Sequence, residues 1–316
     1  MTIEPASRAA VDEAVRADAP PAPREQQRAR YPDRTGFVER GGVRTFYEVY
    51  GDGEPTVLLM PTWSIIHSRH WKLQIPYLAR YWRVLTFDGR GNGRSDRPTD
   101  PEAYREEEFA ADALAVMDAT ATERAVLVSL SRGAERSLLL AADHPERVEK
   151  MAFIAPALPV PPAVPRSRAS QEFREPHDTY DGWGKFNRHY WVEHYEDFLE
   201  FFFSQCLTEP HSTKPHEDTV GWGHETDGPT LVATQLAPRL HDEAGVRALL
   251  SRIDCPILVI HGSDDHVRPW ESGARLAKLA NGALAVLEGS GHLPHARDPV
   301  KVNLLLRDFI GMGRTS

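Results

Sequence analysis

Ala125-Val126-Leu127-Val128-Ser129-Leu130-Ser131-Arg132-Gly133-Ala134 decides the fold. A short apolar run typical of a buried parallel strand passes directly into small residues and then into a helical stretch that ends before His144-Pro145. A serine at such a sharp strand-to-helix turn takes a strained backbone conformation that lifts its hydroxyl clear of the sheet. Residues two before and two after it must be small, and Ser129 and Gly133 are. The helix after Ser131 aims its N-terminal N–H groups at the same point. The alternative reading of Ser131 is a plain helix N-cap, so the surrounding chain has to decide.

Similar apolar runs occur at Thr56–Met60, Arg83–Phe87, Lys150–Ile154, Pro256–Ile260 and Ala283–Leu287. Phe37–Glu39 and Arg44–Tyr50 flank Gly41-Gly42, a hairpin signal. Helical patterns fall near 68–81, 105–119, 133–143, 270–280 and 298–311. This alternation predicts an α/β fold, one mostly parallel sheet with helices on both faces. Residues 157–240 break it with prolines, aromatics and no clear strand. Trp191, Tyr195, Phe198 and Phe202 recur at the spacing of one helix face, so this interval reads as an inserted helical lid. Residues 1–35, rich in Ala, Pro, Arg and Glu, read as a peripheral tail, and 36–156 with 241–316 as the core.

Two further stretches carry chemistry. After the run ending at Ile260 comes His261-Gly262-Ser263-Asp264-Asp265-His266-Val267-Arg268-Pro269, with Asp265 at the G-x-x-D-x-x-x-P spacing and Asp264 its neighbour and rival. A carboxylate just past a parallel strand's C-terminal end sits where open sheets bind ligands. After the last strand, Gly289-Ser290-Gly291-His292-Leu293-Pro294 puts His292 on a small-residue loop, with His295 as a decoy.

The order Ser131, Asp265, His292 resembles that of the α/β-hydrolase superfamily, and the likeness runs from about residue 36 to 311. Phe87-Asp88-Gly89-Arg90-Gly91-Asn92-Gly93-Arg94-Ser95-Asp96 and His144-Pro145-Glu146-Arg147-Val148 are similar to two further landmarks of that family. The resemblance implies an eight-stranded, mostly parallel sheet and a triad of Ser131 as nucleophile, His292 as base and Asp265 as its orienting acid. It implies an oxyanion hole from the backbone N–H groups of Arg132 and Trp63. Two features depart from the family pattern. Pro61-Thr62 stands where the family has His-Gly, placing a hydroxyl beside the serine as plant hydroxynitrile lyases do. The preferred role for Thr62 is to hold its loop through a backbone bond, with substrate contact as the alternative. Arg132 follows the serine directly; pairing with Glu135 along the helix is preferred over binding a substrate anion.

The expected reaction is hydrolysis of a carboxylic ester, lactone or thioester through an acyl-enzyme. Carbon–carbon cleavage or cyanohydrin-type lysis with the same residues is the alternative, and a slow hydrolase-like ligand receptor a third. Trp191 and Phe198 are expected to line a hydrophobic substrate pocket. Composition narrows the remaining classes. The 316 residues carry 37 Lys+Arg against 46 Asp+Glu, a net charge of −9 that disfavours nucleic-acid and anionic-membrane partners. Two cysteines, Cys206 and Cys255, with no apolar run near the ~18 residues of a membrane span and no secretory h-region, suggest a cytoplasmic protein, monomeric or homodimeric. The seven histidines between 177 and 241 lack i, i+4 ligand spacing, and no nucleotide fingerprint is present, so neither metal nor cofactor is expected.

Overall fold

The structure is a computed structural model and describes residues 28–164 and 167–313. In chain order the elements are β1 (Arg34–Arg40), β2 (Val43–Tyr50), β3 (Thr56–Leu59), α1 (Ile75–Leu78), β4 (Arg83–Phe87), α2 (Glu106–Ala119), β5 (Ala125–Leu130), α3 (Gly133–Asp143) and β6 (Val148–Ile154). Then come α4 (Ser167–Gln171), α5 (Arg188–Glu193), α6 (Tyr195–Cys206), α7 (Thr213–Gly223), α8 (Gly228–Leu236), α9 (Glu243–Leu250) and β7 (Ile257–Gly262). The chain closes with α10 (Trp270–Leu279), β8 (Ala283–Leu287), α11 (Pro294–Arg297) and α12 (Pro299–Gly311).

The eight strands form one sheet in the order β1-β2-β4-β3-β5-β6-β7-β8. The β1–β2 and β2–β4 pairs are antiparallel and every other pair is parallel. Side chains of the central strands alternate between two apolar layers, as a period of two requires. Val57 and Leu59 of β3, with Val126 and Val128 of β5, join the layer that also contains Phe186, Trp191, Phe198 and Phe202. Leu58, Met60, Ala125 and Leu127 join the opposite layer.

Four expectations need correction. The 68–81 interval is not one helix: a 3₁₀ turn at Ser68–Trp71 and the short α1 flank Lys72–Gln74, with Pro76 at the start of α1. Ala283–Leu287 has the apolar run of a buried strand but forms the sheet's edge, and most of it is exposed. The aromatic stripe from Trp191 to Phe202 spans two helices, because the backbone at His194 leaves the helical region between α5 and α6. The tail boundary at 35 falls inside β1. Residues 1–27 lie outside the described residues, whereas Arg28 bonds Glu48 at 3.1 Å and the Tyr50 hydroxyl at 2.9 Å. Among the described residues of 157–240 there are helices and loops but no strand.

Candidate active site

Ser131 has φ +51°, a left-handed conformation that non-glycine residues seldom adopt, and this turns its hydroxyl out above the end of β5. The need for small flanking residues is visible in distances. A Cβ on Gly133 would lie 2.8 Å from the Pro61 carbonyl oxygen and 3.1 Å from Ser129 Cβ. The helix that follows thus packs directly against the loop after β3.

His292 Nε2 lies 3.0 Å from Ser131 Oγ, and its Nδ1 lies 2.7 Å from Asp265 Oδ2. The other carboxylate oxygen of Asp265 accepts the Val267 and Arg268 N–H groups, each at 2.8 Å. Burial pushes this carboxyl up, but the His292 charge and the bonds from His261 and His292 outweigh it and hold the group well below the usual carboxylate range. Asp264, the rival, faces outward to His266 at 3.3 Å, and both side chains are about half exposed. His295 sits away from the serine, with its Nε2 3.1 Å from His70 Nδ1. Burial lowers it to about 3, so this decoy stays neutral.

One contributor went unread in the sequence. His261, fully buried near the end of β7, places Nε2 at 3.0 Å from Asp265 Oδ2 and 3.1 Å from the Arg268 carbonyl oxygen. Two acceptors at one nitrogen assign the proton to Nε2. Asp265 Oδ2 therefore takes hydrogen bonds from two imidazoles. Its spacing of four from Asp265, on the strand leading to the acid, was the available signal.

The N–H groups of Trp63 and Arg132 donate to no group among the described residues. The side chain of Arg132 points away from the serine. It does not pair with Glu135: its Nε and Nη2 donate to Glu106 Oε1 at 3.0 and 2.7 Å. Glu135 instead accepts from Arg239 Nη2 at 3.1 Å and from the Leu240 N–H at 2.9 Å. As the residue before the helix, Arg132 extends toward α2 rather than along α3. Burial pushes Glu106 up, yet Arg136, Arg132 and Arg239 around it hold the carboxyl down to about 2.

A cavity of about 20 Å³ opens at the serine, walled by Thr62, Trp63, Ile65, Ile66, Phe202, Phe203, Cys206, His292 and Leu293 among others. Thr62 Oγ1 makes no hydrogen bond among the described residues, so the expected backbone bond is absent and Thr62 belongs to the cavity wall. Trp191 and Phe198 do not reach the cavity. They stack behind it, with ring centroids 5.5 and 6.5 Å from Trp63. Phe202, one turn beyond Phe198, and Phe203 take the place expected for them, because α6 approaches the serine with its C-terminal end. There the Cys206 carbonyl accepts the His292 N–H at 2.9 Å. Among the described residues, no group of three or more His, Cys, Asp or Glu side chains is arranged to hold a metal ion.

A hydroxyl, an imidazole and a carboxylate in series on a mostly parallel sheet define an enzyme of the α/β-hydrolase kind. A family model described as "alpha/beta hydrolase fold" matches residues 55–299, and the chain belongs to that family. It is 27% identical over 274 residues to 2-hydroxymuconate semialdehyde hydrolase from Pseudomonas sp. strain CF600, covering 85% of this chain and 91% of that protein. It is 27% identical over 258 residues to 3-oxoadipate enol-lactonase 2 from Acinetobacter baylyi, covering 81% and 89%. Among solved structures, the bromoperoxidase from Bacillus anthracis superposes with a TM-score of 0.74 at 22% identity, covering 88% of this chain and 99% of that one. No helix among the described residues is long and apolar enough to cross a membrane.

Proposed function

We propose that this hydrolase cleaves a carboxylic ester, lactone or thioester of a hydrophobic small molecule through an acyl-enzyme on Ser131. The observation that carries the reading is the unbroken Ser131–His292–Asp265 contact chain beside the free N–H groups of Trp63 and Arg132. His292 takes the serine proton as the hydroxyl attacks the acyl carbon, and Asp265 steadies the imidazolium. The two N–H groups receive the charge that develops on the carbonyl oxygen. His292 then returns the proton to the departing oxygen or sulfur, and a water activated by the same imidazole releases the acid.

Cavity size refines the acyl group. The room beside Ser131 is narrow, about 20 Å³ for the centre of a water-sized sphere, and most of its walls are apolar. A compact, apolar acyl group suits this room better than a long chain. A p-nitrophenyl ester series tests both parts. A burst of p-nitrophenol with the acetate, lost in Ser131→Ala, supports the mechanism, and a fall in kcat/KM from acetate to octanoate supports the size limit. Steady turnover by Ser131→Ala contradicts the mechanism.

The second reading, carbon–carbon cleavage with the same triad, draws on the unbonded Thr62 hydroxyl at the cavity and on the name of the Pseudomonas relative. It predicts that Thr62→Val abolishes cleavage of a vinylogous diketone or cyanohydrin while leaving ester hydrolysis nearly intact.

A further inference from the structure

We propose that Arg136, anchored by Glu106, is a positioning residue that orients and polarises the peptide joining Thr62 to Trp63, the unit whose N–H the acyl-enzyme reading assigns to the oxyanion. The inference deepens the acyl-enzyme reading and rests on it.

Arg136 does not line the serine cavity, and nothing in its immediate sequence marks it. It is fully buried, yet its guanidinium is spoken for on three sides. Nη1 donates to the Thr62 carbonyl oxygen at 2.5 Å and to the Pro61 carbonyl oxygen at 3.1 Å. Nε donates to Glu106 Oε2 at 2.6 Å. The guanidinium carbon sits 3.5 Å from the centre of the Phe109 ring, which fixes its plane.

The Thr62 carbonyl and the Trp63 N–H are two ends of one planar, resonance-coupled unit. A cation on the carbonyl end pulls electron density from the nitrogen and makes the N–H a stronger donor. Such polarisation along a chain of hydrogen bonds is larger in a dry interior. The same contact fixes the peptide's direction, so the N–H needs no reorientation when charge develops opposite it.

The other donor is tied to the same carboxylate. Glu106 Oε1 holds Arg132, whose own N–H completes the pair, and Arg132 Nη2 reaches the Thr234 carbonyl at 3.2 Å. Thr234 Oγ1 in turn accepts the Trp63 indole N–H at 2.8 Å. Glu106 on α2 therefore sets the relative position of two loops that are far apart in sequence. Stability alone is a poor reason for this arrangement. Buried ion pairs often contribute little net stability against well-packed apolar residues, because their desolvation is costly. An apolar residue at 136 would leave the 62–63 peptide with no charge behind it.

The test uses Arg136→Met, which keeps much of the apolar stem and removes the charge, and Arg136→Lys, which keeps the charge but lacks the planar fork that joins Glu106 to the Thr62 carbonyl. Each is assayed with p-nitrophenyl acetate, with an alkyl boronic acid that forms a tetrahedral adduct, and for thermal melting. Arg136→Met is expected to lower kcat roughly 10²-fold, the scale of losing one oxyanion donor, with KM within about twofold. Boronate affinity should fall by a comparable factor, and Arg136→Lys should lie between. If Arg136→Met does not fold, Arg136→Lys carries the test, with the same kcat and boronate losses at a smaller size. Folded variants with kcat and boronate affinity within about threefold of the parent overturn the proposal, as does a loss seen only in KM. An absent burst in the parent enzyme would instead count against the acyl-enzyme reading itself.

Discussion

The two walls of the active site are built from opposite materials. On the core side, the elbow at Ser131 and the Pro61–Trp63 loop are held by charges: Glu106, Arg132 and Arg136 are all buried and joined by hydrogen bonds of 2.6–3.0 Å. On the lid side, Trp63 meets Phe186, Trp191, Phe198 and Phe202 with ring centroids 5.3–6.5 Å apart. Hydrogen bonds to charged groups are directional and fix atoms to within tenths of an ångström. Aromatic contacts are strong in sum but tolerate sliding, so they set volume rather than bond angles. On the proposed function, the charged wall governs how fast the chemistry runs and the aromatic wall governs what fits.

The largest expected effect lies in the triad that both walls serve. Ser131→Ala should lose about 10⁴-fold or more in kcat, with residual turnover from binding and the oxyanion donors alone. A loss under tenfold in stopped-flow or steady-state assays would break the comparison at its root.

Next come the two aromatic layers, which sharpen it. Phe198, fully buried behind the cavity, should cost about 3–5 kcal/mol of stability as Phe198→Ala, measured by urea unfolding, with chain-length preference unchanged. Phe203, a cavity wall, should behave differently: Phe203→Ala should move the preference toward longer acyl esters by an order of magnitude. Equal selectivity changes in the two variants would mean that the lid does not divide into lining and support.

Much of this was legible in the chain. β3 to β7 carry their expected character because strands buried on both faces must be apolar throughout, β1 and β2 are marked by the Gly41-Gly42 hairpin, and the nucleophile turn leaves a pattern of small residues that steric contact demands. Asp265 was separable from Asp264 by spacing to Gly262 and Pro269 alone. What stayed hidden depends on distance through space. Arg132 pairs with a carboxylate 26 residues upstream, and no local rule favours that over Glu135. Trp191 and Phe198 share the expected helical face, but periodicity does not say how far along a helix the site lies. His261 reads as an ordinary strand residue until β7 and its loop fold back on Asp265. Edge position, likewise, is a property of sheet order, which is why β8 looks buried in sequence and is exposed in the fold.

A smaller effect comes from His261. Replacing it with Phe removes one donor from Asp265 Oδ2 and leaves more carboxylate charge for His292. The acid limb of the kcat/KM profile should then move up by about half a pH unit or more. His261→Gln, which restores an N–H, should move it back; an unshifted limb in the Phe variant sinks this role.

The smallest effect separates stability from chemistry. His295 is lowered from about 6.5 to about 3 by burial and by the His292 charge, so the folded state resists its protonation. That contribution to stability is complete above pH 6.5 and is lost as pH falls toward 3. His295→Asn should flatten the fall in melting temperature between pH 6.5 and 4 without shifting the kcat/KM profile. A profile that shifts with it would place His295 in the working chain.

The central claim is that the acyl group passes through Ser131, and the most direct test is mass analysis of enzyme quenched during turnover of a slowly released ester. The account predicts one acyl mass per chain, mapped to the peptide containing Ser131 and absent from Ser131→Ala. An adduct on another side chain, or full turnover with no adduct at all stages of quenching, would contradict it.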